Sequence, residues 1–288
     1  MNSILKKIRQ SDAFNKENRI PYTKAVMLMS LFTFTFLGAE FLFVNMISNT
    51  VSGSQSVVAQ NYALGISVIG FILYPLFCRF CKGTLQSVIS MGASVLSVVC
   101  FFLICRHSSY VLTLCMGLLL FLILGAFGSA VFYKSLCLLE DNTYIARLVG
   151  ISYMLGILLQ IANSNLVHSA AFEAVILSVF TLILAVTLMR AEKNSIVPAF
   201  SKNNLSEDIG KTGKGSLKVG IILALFVALL TCIFSTLDNA VTLYHASGAV
   251  NIGQWPRILL ALSGLLAGFL FDIACRKYMS MIMYCVMI

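Results

Sequence analysis

Charge is what this chain is short of. Only 11% of its 288 residues are Asp, Glu, Lys or Arg, against about 25% in soluble domains. Apolar residues make up 59%, and the mean hydropathy is +0.93. Stretches without charge that run to spanning length have no place in a water-soluble fold, so a polytopic membrane protein is expected. In lipid every backbone polar group must be paired within the protein, which leaves helices or closed barrels. The apolar runs lack the two-residue alternation of barrel strands, so helices are expected.

Other absences narrow the function. The sequence contains no HExxH and no Gly-x-Ser-x-Gly elbow. Gly210-Lys211-Thr212 ends like a phosphate loop, but Leu205 stands where the first glycine belongs and no apolar strand precedes it. No enzyme and no cofactor are therefore expected. Nine cysteines lie mostly within apolar runs, where a thiol acts as a small hydrophobe. Cys78 and Cys81 form a CxxC without a second pair or a nearby histidine, so no metal site is expected. The polar, basic residues 1–24 lack the short apolar core and cleavage site of a secretory signal, so the first apolar run is expected to be retained as a span.

What is present is a series of apolar runs. They are expected as spans at 25–47, 57–77, 85–105, 111–133, 148–167 and 174–189, then one beginning at 219 and one at 258–271. Residues 190–218 form the only long hydrophilic stretch and read as a linker between halves. The organisation is thus a segment 1–24, a six-helix bundle 25–189, a linker 190–218 and a partial second bundle 219–288. The final apolar run, 278–288, is too short for the roughly 20 residues a span needs, so about eight full spans and part of a ninth are expected.

The basic residues give an orientation. With the N-terminus cytoplasmic, the inner segments hold six in 1–24, two in 79–82, two in 134–147, six in 190–218 and two at 276–277. Only Arg106 and Arg257 fall outside. This bias matches the positive-inside rule and places the chain in the cell membrane. It accounts for the net charge of +9 through anionic headgroups, without nucleic acid as a partner.

Two hydrophobic-to-basic junctions lie 198 positions apart. One has Gly268, Leu270 and Asp272 followed by Arg276 and Lys277; the other has Gly70 followed by Arg79, with Tyr74 where the acid would be. With six helices, a long basic linker and a second set of helices, this pattern resembles the major facilitator superfamily of secondary transporters. The resemblance implies two rocking bundles around a midplane site. It also implies a gating role for Gly268, Leu270, Asp272, Arg276, Lys277, Gly70 and Arg79. Cys275 stands where that family usually has glycine, and span four lacks the arginine of many proton-coupled members. The helix-five Gly-Pro of drug antiporters is also missing. The alternative is a transporter-like membrane sensor with a C-terminal helix-turn-helix domain beyond this chain.

Glu40 is the leading site candidate. It lies well inside span one, and an intramembrane acid costs a few kcal/mol unless it faces a cavity or partner. The same 198-residue offset leads to Asp238. Together they are candidates to bind a cationic group of a small solute or to carry protons. Asn45, Asn61, Tyr62, Gln160 and Asn163, with Asn165, are candidates to line a polar pathway, or else glue between helices. His107, His168 and His245 read as solvated loop residues, Tyr244 and Trp255 as interfacial anchors, and Glu173 as an interfacial acid.

Overall fold

The computed structural model describes residues 16–80, 84–106, 109–138, 145–194 and 255–272. Seven α-helices account for nearly all of them: α1 Lys16–Ser48, α2 Gly53–Phe80, α3 Thr84–Arg106, α4 Tyr110–Leu138, α5 Ile145–Leu166, α6 Ala170–Asn194 and α7 Trp255–Asp272. No strand occurs among the described residues. Six helices are long and apolar enough to cross a membrane, the shortest apolar stretch being the 20 residues Ala170–Met189. At 1.5 Å per residue that stretch covers about 30 Å, the thickness of a hydrocarbon core. The described part is all-α and has the helices of a membrane-embedded protein. The expected spans 25–47 through 174–189 correspond to α1–α6; 258–271 falls on α7, whose apolar part, Pro256–Phe269, is shorter than a span. The span beginning at 219 and the run 278–288 lie outside the described residues.

Many hydroxyls inside the spans are satisfied locally. Ser30 Oγ donates to the Val26 carbonyl at 2.7 Å, and Thr181 Oγ1 to the Leu177 carbonyl at 2.7 Å. Thr35, Ser94 and Ser97 repeat this four-residue back-bond. Such bonds let polar side chains ride in apolar helices without seeking another helix. At the start of α4 the Ser109 hydroxyl accepts from the Leu112 amide at 3.4 Å, an N-cap that replaces a missing intrahelical partner.

α1 and α4 form the centre. α1 packs on α2, α4, α5 and α6, while α2 and α3 lie against α4. Glycine in α4 sets these approaches. A Cβ on Gly125 would lie 1.9 Å from the Ser67 carbonyl oxygen of α2, and one on Gly70 would lie 2.0 Å from the Leu122 oxygen of α4. The two backbones touch, as small residues permit in membrane helices. Gly117 and Gly128 receive the rings of Phe43 and Phe32 from α1. Phe43 also meets Phe121 edge-on, with ring centroids 5.9 Å apart. On the periphery α2 exposes Val68, Ile69, Phe71, Ile72 and Leu76. That contiguous apolar face fits lipid and not water.

α7 joins this set through α5. A Cβ on Gly150 would meet the Gly264 carbonyl oxygen at 2.6 Å, and one on Gly268 would meet the Ala146 oxygen at 2.7 Å. Beside this contact the Arg147 guanidinium lies 4.8 Å over the Phe269 ring, a cation–π arrangement.

Candidate functional site

Glu40 sits in the outer half of α1 under the N-inside orientation, eight residues before the helix ends at Ser48. Its Oε1 accepts a hydrogen bond from Gln60 Nε2 of α2 at 2.7 Å. At this length it is a well-formed hydrogen bond. The Tyr153 hydroxyl of α5 lies within electrostatic range of the carboxyl. Tyr153 in turn packs on α7, since a Cβ on Gly264 would be 3.1 Å from its ring. Next to Glu40 in the chain, the Phe41 ring lies 5.3 Å beneath the Arg257 guanidinium of α7. Three helices of the six-helix set, with α7 alongside, therefore converge around one half-buried acid. Chemically, the arrangement offers a carboxylate, an amide and a phenol inside a spanning bundle.

A second polar cluster lies nearer the end of the bundle where α6 begins. Glu173 is only 5% exposed, and its Oε1 accepts from Asn163 Nδ2 of α5 at 3.4 Å. The neighbouring Cys105 thiol of α3 donates to the Ala170 carbonyl at 3.3 Å. The place of Glu173 in the first turn of α6 is the depth expected of an interfacial acid, and its burial is the added finding. Although it stands in the first turn of α6, α3 and α5 cover it.

The remaining candidates divide. Asn163 belongs to the Glu173 cluster, on a different helix pair from Glu40. Gln160 is buried, and its Nε2 has no hydrogen-bond partner among the described residues. Asn45 is half-buried near the end of α1, and the Ser48 hydroxyl bonds its carbonyl. Asn61 and Tyr62 of α2 are exposed. Asn165 is exposed, as is His168 in the loop before α6. Gly70 packs α2 on α4, and Gly268 packs α7 on α5. The side chains of Arg79, Leu270, Asp272 and Trp255 lie outside the described residues, as do Asp238, Arg276, Lys277, His107, Tyr244 and His245 entirely.

Gln60 and Tyr153 are site residues that sequence reading missed. For Gln60 a signal was present. Ser56, Gln60, Ala63, Ser67 and Gly70 recur at helical spacing as a stripe of small and polar residues. That stripe is the buried or half-buried face of α2, and it runs onto α4 at Gly70. Tyr153 carries no comparable pattern.

Among the described residues no group of His, Cys, Asp and Glu is placed to hold a metal ion. Comparison with known proteins finds no family model, curated protein or solved structure that matches this chain.

Proposed function

We propose that this protein is a secondary active transporter of the major facilitator type, moving a small solute by alternating access with Glu40 at its site. The observation that carries the reading is the Glu40–Gln60 bond, inside the spans and beside the Tyr153–Gly264 contact with α7. A charged carboxyl is costly in the low-dielectric centre of a bundle. Neutralising it, with a proton or with a cationic group of the substrate, lowers that cost and lets the loaded carrier change state. Reloading from the other side completes the cycle. Protons are the candidate coupling ion, and no cofactor enters the scheme.

The test is uptake into membrane vesicles from cells expressing the protein, over a panel of small solutes, with and without an imposed proton gradient. At least one solute is expected to accumulate above vector-only vesicles, with a protonophore abolishing the gradient's effect. Vesicles that take up no member of the panel above the control would count against a transporter.

A further inference from the structure

At the end of the bundle that carries the basic loops, α2 and α3 lean on α4 from its two sides and barely touch each other. They leave a cleft of about 250 Å³, with α4 and the last turns of α6 as its floor. Its deep part is lined by Gly70, Leu122, Ile123, Ala93 and Ala185. Its mouth is polar: Tyr74, Gln86, Ser90 and Lys134 lie toward the helix ends. Lys134 was expected in the connector after span four. It belongs instead to α4, which continues to Leu138, and its Nζ donates to the Leu188 carbonyl of α6. The aliphatic stem thus lies along the cleft with the ammonium held at the mouth, as long cations do near an interface. From Leu122 to Lys134 is 12 residues, or about 18 Å of helix, slightly more than half of a 30 Å hydrocarbon core.

We propose that this cleft binds an anionic phospholipid of the adjacent leaflet, one acyl chain in the apolar part and the phosphate at Lys134. The cleft's mouth is at the level where headgroups lie, and its depth matches one leaflet. Leu73 and Ile89 on its rim are substantially exposed, so it is open sideways between α2 and α3. A lipid can enter there without passing through water. The cation at the mouth and the apolar depth together match an anionic amphiphile; neither a dry void nor a polar solute site needs both. The site is separate from Glu40, so it does not depend on the transport reading.

The test is native mass spectrometry of the purified full chain offered equal amounts of dioleoylphosphatidylglycerol and dioleoylphosphatidylcholine. The chain is expected to retain the anionic lipid in preference, by about fivefold, the scale of one basic residue at an anionic surface. Lys134→Gln is expected to remove most of that preference, and Ile89→Trp to obstruct the cleft and lower retention of both lipids. Lys24→Gln, an exposed lysine on α1, is expected to leave it unchanged. Equal retention of the two lipids by the unaltered chain would overturn the proposal, and so would undiminished preference in Lys134→Gln. If Lys134→Gln does not fold, the unaltered chain's preference decides. Oleate held in place of either phospholipid would show a site for a free amphiphile and would also overturn it.

Discussion

Gln60 of α2 donates to the Glu40 carboxyl of α1 at 2.7 Å, although the two helices share only a narrow contact. This bond helps to satisfy an acid that would otherwise be costly within the spans. It also ties the acid's position to the packing of α2. Polar bonds between membrane helices contribute about 1 kcal/mol. Gln60→Leu is therefore expected to lower stability by about that amount, measured by unfolding in detergent. Combined with Glu40→Gln in a double-mutant cycle, the two changes are expected to be non-additive. Strict additivity would mean that the two side chains do not interact.

The α2–α4 contact gives a sharper contrast. Gly125→Ala puts a methyl group where the Ser67 carbonyl oxygen is, 1.9 Å away, and no flexible side chain can give way. Loss of folded, monodisperse protein is expected, at or beyond the roughly 1–3 kcal/mol of ordinary overpacking. Gly92→Ala, with nothing within 4 Å of the new Cβ, is expected to be neutral or slightly stabilising, since alanine is the better helix former. Size-exclusion profiles and thermal midpoints of the two variants check this directly.

Glu173 and Asn163 form the other buried polar pair. Glu173→Gln preserves size and an acceptor oxygen, so it is expected to keep the fold close to wild type. Glu173→Leu leaves the Asn163 amide without its partner in a covered site, at about 1–3 kcal/mol. Equal stability of the two variants would show that the pair contributes nothing.

Six of the expected spans were legible because lipid excludes charge, and charges or polar turns stand near their ends; the expected span 258–271 falls on a helix whose apolar part is only Pro256–Phe269. Azimuth was harder to read. In water one face of a helix is apolar; in a membrane the face toward lipid and the face toward the bundle are both apolar, so periodicity loses its contrast. Asn61 and Tyr62 were therefore picked alongside the inward face of α2, and Gln60 was passed over. Lateral burial was hidden as well. Glu173 stands where an interfacial acid would stand, and only the placement of α3 and α5 buries it. Lys134 was read as the start of a loop because it is charged, yet its stem lets α4 continue past it. Glu40 drew notice because an acid inside an apolar run stands out without any knowledge of packing.

The most direct test of the account is solute uptake by Glu40→Gln beside the wild type between about pH 6 and about pH 8. Wild-type uptake is expected to vary several-fold over that range. The glutamine variant, which cannot exchange a proton at this position and keeps a bond to Gln60, is expected to fold and to show uptake that is low or flat with pH. A Glu40→Gln profile that overlays the wild type would contradict the assignment of Glu40 as the site.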